Sequence, residues 1–284
     1  MNPQQVKMMN PQQVKELVRK RYDACAAQQT AAGCCAASNT GGEGFAHSHG
    51  MYSAQDLDAM PTASVTLSRG CGNPVAFADI LPGETVVDLG CGAGIDVILA
   101  ARRVGGTGRV IGVDMTPHMI EQARASVAEA NVSAKVEFRL SDLERIDLPD
   151  AIADAVISNC VINLCPDKTA VFREAFRILR PGGRLAISDV VYTAPPPVEA
   201  RQRLAAAWSG CLGGAEIEQR YFALVRETGF DGVEIVARHA LAGDGLRGMA
   251  CCPSPEIAGR PSADDLAAVE GKVTSIKFRA LKPR

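Results

Sequence analysis

Short apolar runs that alternate with helical segments constrain the fold of this chain more than any other feature of its sequence. The apolar runs fall at residues 85–90, 109–115, 135–142, 153–159 and 184–191. Segments with helical spacing lie between them, at residues 95–104, 117–130 and 168–179. Runs that are apolar throughout are typical of strands covered on both faces, and strands separated by helices form βαβ units. The sequence therefore predicts an α/β fold with a parallel, doubly wound sheet.

The two ends of the chain carry additions to this sheet. Asn10 is placed as the N-cap of a helix that we expect to end at about residue 27, and Gln13 is placed to complete a capping box with it. An arm rich in Gly, Ala, Ser and Thr follows, and it carries Cys34 and Cys35. After the fifth predicted strand come two further helical segments and two strand-like runs, near 232–238 and 272–283. We interpret this C-terminal part as a small α+β addition.

The charge balance excludes several classes of partner. The 284 residues include 30 Lys and Arg against 32 Asp and Glu, without the basic clusters that nucleic-acid surfaces show. No uninterrupted apolar stretch is long enough for a membrane span, and the polar start lacks the apolar core of a signal peptide. We therefore expect a cytoplasmic protein with neither a nucleic-acid nor a membrane partner.

The chain contains 10 cysteines, a number that needs an explanation in a chain without a secretion signal. Such a chain is a poor candidate for a structural disulfide framework, which favours metal, metalloid or redox chemistry. No C-x-x-C pair occurs in the sequence, so the usual zinc spacings are missing. If the thiols act together, the fold must assemble them from distant segments.

A glycine-rich turn follows the first predicted strand in the stretch VVDLGCGAGIDVILA, with Gly90, Gly92 and Gly94 placed before a helix. Glycine lets the backbone approach a ligand at the carboxyl edge of an open α/β sheet. Asp114 closes the second strand, where a carboxylate can accept both hydroxyls of a ribose. Asp142 closes the third strand and suits an adenine amino group. The sequence therefore predicts a nucleoside-containing ligand at this edge.

This pattern, with the LRPGG turn before the fifth strand, resembles the class I S-adenosylmethionine-dependent methyltransferases over roughly residues 83–191. The resemblance implies a Rossmann-like fold and S-adenosylmethionine as cofactor. It also implies that Met115 and Leu143 flank the adenine ring, while Cys91 fills a variable position as a small residue. The implied cofactor-binding residues are Asp88, Gly90, Cys91, Gly92, Gly94, Asp114, Met115, Asp142, Leu143 and Asn159.

Three cysteines lie in contexts that core packing does not demand. Cys71 stands in SRGCGNP, Cys160 follows the fourth predicted strand in SNCVINLCP, and Cys211 stands in SGCLGGA. Each one alone is more often a buried small hydrophobic residue than a ligand. Beside a methyl donor, three thiolates instead form a soft pocket of the kind that a soft metal or metalloid prefers.

The phrases GCGNP, SNCVINLCPDK and GCLGGA resemble those of arsenite methyltransferases, over about residues 52–221. The resemblance implies that Cys71, Cys160 and Cys211 bind trivalent arsenic, as arsenite or an organoarsenical. It also implies an N-terminal cysteine in a disulfide relay, either Cys34 or Cys35, with thioredoxin or glutathione as reductant. Methyl transfer would be an in-line displacement that needs no general base, because arsenic has no proton to lose.

These interpretations divide the chain into an N-terminal helix and arm, a cofactor-binding methyltransferase domain and a small C-terminal region, at residues 1–60, 61–238 and 239–284. Two other functions stay open at this point. One is a small-molecule C- or O-methyltransferase, whose activity would survive Cys160→Ser. The other is a non-catalytic thiol sensor that binds metalloid without consuming cofactor. The role of Cys251 and Cys252 also stays open.

Overall fold

Seven strands form a single sheet in the computed structural model, which describes residues 10–27, 51–58, 60–206, 210–243, 246 and 262–284. The strands are β1 (Thr85–Leu89), β2 (Arg109–Asp114), β3 (Lys135–Leu140), β4 (Ala153–Asn159), β5 (Leu179–Tyr192), β6 (Asp231–Ala240) and β7 (Val273–Leu281). The helices described are α1 (Pro11–Ala27), α2 (Ala54–Leu57), α3 (Thr62–Thr66), α4 (Ile95–Val104), α5 (Pro117–Ala130), α6 (Lys168–Ile178), α7 (Val198–Ala206), α8 (Glu218–Glu227) and α9 (Ala263–Val269). The predicted βαβ alternation is confirmed to within two residues at most element ends.

The strand order is β3-β2-β1-β4-β5-β7-β6. Strands β1 to β5 are parallel to one another, whereas β7 is antiparallel to both β5 and β6. The order reverses between β1 and β4, so the loops after these two strands diverge and leave a crevice at their carboxyl ends. This topology positions the site described below.

Apolar side chains cover both faces of the sheet, as the runs without alternation predict. Helices α4 and α5 pack on one face, against β-strand residues such as Val86 and Ile157. Helices α6 and α8 pack on the other face, against residues such as Val87 and Ile111. The alternation of Val86 and Val87 between the two clusters follows the two-residue period of a strand.

The predicted turn at residues 180–183 belongs to strand β5 instead. The pairing of β4 with β5 shifts between Ala153 and Ala155, so the Pro-Gly-Gly segment forms a bulge within the ladder. Gly182 N–H donates to the carbonyl of Lys282 at 2.9 Å, and Lys282 N–H donates to that of Gly183 at 2.8 Å. These hydrogen bonds keep the segment in the strand, although its residues favour turns.

The C-terminal strands extend the same sheet. Strand β7 lies between β5 and β6 and pairs with both along most of its length. The expected boundary between residues 238 and 239 falls within β6, two residues before the end of the strand, and would assign two hydrogen-bonded strands to different parts of the chain. Sequence reasoning misses this arrangement because the pairing joins segments that lie far apart along the chain.

Helix α1 begins as predicted. Gln13 N–H donates to Asn10 Oδ1 at 2.9 Å, and Asn10 N–H donates to Gln13 Oε1 at 2.9 Å, which makes the expected capping box. On its inner face, Val14 and Val18 pack against Leu164, in the segment after β4. The helix is therefore docked on the carboxyl edge of the sheet.

Candidate active site

A cleft of about 950 Å³, open to solvent, lies at the carboxyl ends of β1, β2, β3 and β4. Open α/β sheets bind their ligands at this edge. Most of the cofactor residues implied by the sequence line the cleft, and these are Gly90, Cys91, Gly92, Asp114, Met115, Asp142, Leu143 and Asn159. The inner face of α1 forms part of the opposite wall through Lys15, Val18 and Tyr22.

Backbone donors hold Asp114 at the end of β2. Gly92 N–H donates to Asp114 Oδ2 at 3.0 Å, and Thr116 N–H donates to Oδ1 at 2.9 Å. Burial raises the pKa of the Asp114 carboxyl, while these hydrogen bonds act in the opposite direction. The bond from Gly92 ties the glycine-rich turn after β1 to the end of β2, so the two loops present one continuous surface to the cleft.

Asp142 follows β3 and is joined to helix α1. One carboxylate oxygen accepts the Glu144 N–H at 2.9 Å, and the other contacts Lys15 Nζ at 2.5 Å. Lys15 also contacts Glu144 Oε2 at 2.6 Å. Burial acts to lower the pKa of Lys15, but its hydrogen bonds to the two carboxylates raise it. Sequence reasoning misses Lys15, because nothing local distinguishes it from Lys20, the other lysine of this helix.

Two residues expected to face the cofactor, Asp88 and Gly94, do not line the cleft. The carboxyl of Asp88 is buried near those of Asp96 and Asp114, and burial followed by these charges raises its pKa well above its usual value. Gly94 precedes the first residue of α4, and a side chain there would contact the backbone of Ala123 in α5. Both residues therefore lie behind the surface that a ligand would touch.

Asn159 connects the cleft to the loop that carries Cys71. Its Oδ1 accepts the N–H groups of Cys71 and Gly72 at 2.9 and 3.2 Å. Its Nδ2 donates to the Gly72 carbonyl at 2.7 Å, to Tyr52 Oη at 2.9 Å and to Asp96 Oδ2 at 3.0 Å. One amide thus joins the end of β4 to three other segments, whereas the sequence indicated Asn159 as a cofactor-binding residue at the end of this strand and not as a link between segments.

Asp96 and Tyr52 are site residues that sequence reasoning misses. Asp96 lines the cleft from the first turn of α4, and Tyr52 Oη donates to its Oδ1 at 3.0 Å. Burial raises the pKa of Asp96 to about 6, against the effect of the hydrogen bonds from Asn159 and Tyr52. An acidic residue directly after a glycine-rich turn at a helix N-terminus is a signal that could have found it.

Glycines on both sides of Cys71 allow its loop to approach the sheet. A Cβ atom on Gly70 would lie 2.3 Å from the Asn159 amide nitrogen, and one on Gly72 would lie 1.9 Å from Ser188 Oγ. Real Cβ atoms do not approach other atoms so closely, so any side chain here would push the loop away from β4 and β5. The GCG sequence therefore determines where the Cys71 thiol lies.

Cys71, Cys160 and Cys211 lie together in one buried cluster, which we call the thiol cluster. Cys160 Sγ and Cys211 Sγ are 3.0 Å apart, and Cys211 Sγ donates to the Cys160 carbonyl at 3.1 Å. Cys71 Sγ lies within 4.8 Å of Cys160 Sγ. Cys160 has a left-handed backbone with φ of 61°, uncommon for a residue with a side chain. Because Cys160 also lines the cleft, the thiol cluster adjoins it.

The thiols of the cluster are held in a low-dielectric environment. Burial, followed by the neighbouring Cys211 and Cys71, raises the pKa of Cys160 well above its usual value. Burial also raises the pKa of Cys71. Thiols with raised pKa values are protonated at neutral pH, so any ligand that the cluster binds must displace these protons.

The carboxylate of Asp189 in β5 completes this group. One of its oxygens lies within 4.8 Å of Cys71 Sγ and of Cys160 Sγ. Burial raises the pKa of Asp189 to about 6, although hydrogen bonds from Val190 and Tyr221 act to lower it. Sequence reasoning misses Asp189, whose only signal is an acidic residue within the apolar run LAISDVV.

Among the residues that the structure describes, the other cysteines lie outside the thiol cluster. Cys25 lies on α1, Cys91 lies in the glycine-rich turn, and Cys165 follows the segment after β4. Burial raises the pKa of Cys165 to about 12. The expected relay candidates lie outside the described residues, as do the two C-terminal cysteines, and these are Cys34, Cys35, Cys251 and Cys252.

Comparison with known proteins identifies the family. A family profile described as a methyltransferase domain matches residues 80–229. A solved structure of an arsenic(III) S-adenosylmethionine methyltransferase from Chlamydomonas reinhardtii has 31% sequence identity and a TM-score of 0.65, and the match covers 81% of this chain and 72% of that one. The chain belongs to the arsenite methyltransferase family. The predicted Rossmann-like class I methyltransferase fold is confirmed.

Curated members of the arsenite methyltransferase family show the same relationship. The protein from Halobacterium salinarum is 45% identical over 237 residues, which cover 81% of this chain and 60% of the relative. The protein from Aquipseudomonas alcaligenes is 41% identical over 173 residues, which cover 59% of this chain and 49% of the relative. The chain thus spans about three fifths of the length of the first relative and about half of the second. A helix long and apolar enough to cross a membrane is not found among the described residues.

Proposed function

We propose that the chain transfers methyl groups from S-adenosylmethionine to trivalent arsenic held by Cys71, Cys160 and Cys211. One observation carries the proposal: the thiol cluster adjoins a cleft whose strand ends present Asp114 and Asp142. A methyl acceptor bound through sulfur and a nucleoside-containing donor would therefore lie on either side of Cys160. Family membership supports the same reaction.

The protonated state of the thiols suits arsenic(III). Arsenous acid is neutral at pH 7, and each thiol that replaces a hydroxyl on arsenic loses its proton to that hydroxyl, which leaves as water. The exchange creates no net charge in the buried cluster, so raised thiol pKa values do not oppose it. A metal cation would instead have to displace the thiol protons into solvent.

The lining of the cleft fits S-adenosylmethionine. Asp114 would accept the ribose hydroxyls, Asp142 and Leu143 would contact the adenine, and Gly90 and Gly92 would let the backbone approach the remainder of the molecule. The cofactor supplies a methyl group on a positively charged sulfur. The residues of the chain contribute by holding the arsenic and the cleft wall in fixed relation, through the hydrogen bonds of Asn159 to the Cys71 loop.

Methylation oxidises arsenic formally, so repeated turnover needs a reductant. We propose that disulfide formation among the cysteines supplies the electrons, with Cys34 or Cys35 as the relay residue. Thioredoxin or glutathione would then restore the thiols by exchange. Mass spectrometry after a single turnover without reductant tests this step, because it would identify which cysteines become linked.

The central experiment incubates the purified chain with arsenite, S-adenosylmethionine and a thiol reductant, and separates the arsenicals by chromatography with arsenic-specific detection. We expect methylated arsenicals from the wild type and from Cys25→Ser, whose thiol lies outside the cluster. Cys71→Ser and Cys211→Ser should weaken arsenite binding at least about tenfold while cofactor affinity is unchanged. Cys160→Ser should lose both arsenite binding and methylation.

Two outcomes would contradict the proposal and identify the alternative. Folded protein that binds cofactor and arsenite but forms no methylated arsenical would indicate a thiol sensor. Methylation of an organic acceptor that survives Cys160→Ser would indicate a small-molecule C- or O-methyltransferase.

A further inference from the structure

A buried carboxylate faces the thiol cluster, and the steps proposed so far give it no task. Asp189 is fully buried on β5, and one of its oxygens lies within 4.8 Å of the sulfur atoms of both Cys71 and Cys160. An arsenic atom bound to these two sulfurs would lie next to that oxygen, because arsenic would sit between the ligand atoms that now face one another.

Three hydrogen bonds hold the carboxylate in place. Asn163 Nδ2 donates to Asp189 Oδ1 at 2.9 Å, and the N–H of Val190 donates to the same oxygen at 2.8 Å. Tyr221 Oη donates to Oδ2 at 2.9 Å. Hydrogen bonds to a carboxylate favour its charged form, and the positive charge of Lys168 acts in the same direction. The network therefore presents a fixed anion to the cluster.

Packing alone does not account for this network. Asn163 and Tyr221 are themselves fully buried, and Tyr221 lies edge-on to the rings of Phe172 and Phe278. Apolar side chains of similar volume would fill the same space without the cost of removing a carboxylate from water. An anion kept at this cost beside a ligand site indicates a role toward the ligand.

We propose that Asp189 stabilises the positive charge that arsenic acquires during methyl transfer, an inference that rests on the proposed function. The lone pair of arsenic forms the new As–C bond, and the C–S bond breaks with both of its electrons remaining on sulfur. The sulfonium sulfur becomes a neutral thioether, and the positive charge passes to arsenic, which is oxidised formally from the trivalent to the pentavalent state. No further oxidant is needed for this step.

A preorganised anion aimed at this developing charge lowers the energy of the transition state more than that of bound neutral arsenic(III). Asp189 should therefore affect the rate of methylation more than the affinity for arsenite. A ligand that is positively charged from the outset should depend on Asp189 for its affinity as well.

The test compares wild type with Asp189→Asn, which keeps the size of the side chain, and with Tyr221→Phe, which keeps the carboxylate but removes one donor. Asp154→Asn serves as control, because Asp154 lies at the start of β4, whereas Cys160 follows the other end of this strand. Single-turnover methylation of pre-bound arsenite should slow by about 10- to 100-fold in Asp189→Asn and less in Tyr221→Phe, while Asp154→Asn matches the wild type. Arsenite affinity should stay within about threefold throughout.

A second measurement does not depend on activity. Cadmium binds thiolates as a dication, and its thiolate absorbance can be titrated in competition with arsenite, with Cys71→Ser as the variant that lacks the site. Cadmium affinity should fall at least about tenfold in Asp189→Asn, because the variant lacks the negative charge beside the metal.

The outcomes are separable. Wild-type protein that forms no methylated arsenical contradicts the proposed function, whatever the variants do. An active wild type with Asp189→Asn equally fast, or with cadmium affinity unchanged, overturns the role of Asp189. Loss of arsenite affinity in Asp189→Asn equal to the loss of rate also overturns it, since the residue would then build the site without acting on the charge.

Discussion

At the scale of single residues, Asn159 links the two halves of the site. Its amide bonds to both the Cys71 loop and the Asp96 carboxylate, so the position of a thiol and the wall of the cleft depend on one side chain. Its amide oxygen accepts two hydrogen bonds and its amide nitrogen donates three. Few substitutions preserve that combination.

Asn159→Ala should weaken binding of both S-adenosylmethionine and arsenite, each by at least about tenfold, because it frees the Cys71 loop and removes the donor to Asp96 Oδ2, leaving Tyr52 as the remaining side-chain donor to that carboxylate. Isothermal titration of each ligand measures the effect. Cys71→Ser is the matched comparison, since it should weaken arsenite binding alone. If Asn159→Ala changes only one of the two affinities, the amide does not couple the sites.

At the scale of secondary structure elements, helix α1 forms a wall of the cleft. Val18 and Tyr22 line the cleft, and Lys15 joins the helix to two carboxylates in the turn after β3. His118 Nδ1 lies 2.8 Å from Asp23 Oδ1, which connects α1 to the start of α5. The helix therefore depends for its position on contacts with two loops that carry cofactor residues.

Lys15→Met should weaken S-adenosylmethionine binding by about two- to fivefold, the effect of losing a partly exposed ion pair that positions the helix. Arsenite affinity should be unchanged, because Lys15 contacts Asp142 and Glu144 and does not belong to the thiol cluster. Titration of both ligands tests this, with Lys20→Met on the exposed face of α1 as control. Tighter cofactor binding in Lys15→Met would mean that the lysine competes with the adenine for Asp142.

At the scale of the whole molecule, buried and half-buried carboxyl groups concentrate beneath and beside the cleft. Asp88, Asp96, Asp114 and Asp189 are all held with raised pKa values, for which burial is the first cause. Such groups oppose folding once they ionise, so the site is built at the expense of stability.

The raised pKa of Asp96 predicts the direction in which folding stability changes with pH. Its pKa is raised from 3.8 to about 6, so the folded state retains a proton that the unfolded state releases. The stabilising contribution is complete below about pH 4 and is lost as the pH rises through about 6. Tyr52 and Asn159 hydrogen-bond to this carboxyl, and the charge of Asp56 adds to the upward shift.

Urea unfolding at about pH 4 and pH 7 tests this effect. Between these pH values the free energy of unfolding of the wild type should fall by up to about 3 kcal/mol more than that of Asp96→Asn. Asp147→Asn, at an exposed carboxyl, is the control and should follow the wild type. Parallel pH dependence of wild type and Asp96→Asn would show that this carboxyl does not carry the shift.

The sequence predicted the strands and helices of the core, but it did not predict which distant segments contact one another. Strand and helix periods, the Asn10 capping box and the acidic residues at the ends of β2 and β3 are local features, and each one is found where expected. Lys15, Tyr52 and Asp189 were missed because each becomes a site residue only through a contact with a distant segment, whereas Asp96 was missed although it has a local signal, its place in the first turn of the helix after the glycine-rich turn. The pairing of β7 between β5 and β6 was missed for the same reason.

The sequence by itself determined the α/β order and the glycine-rich turn, since backbone preferences and hydrophobic periods act over a few residues. It also singled out Cys71, Cys160 and Cys211 as cysteines in contexts that core packing does not demand. Only the tertiary structure decided that these thiols meet, because Cys160 and Cys211 are 51 residues apart in the chain and their contact depends on the packing of β4, β5 and the loops beyond them. The same packing brought Asp189, a residue within a strand, to face their sulfur atoms.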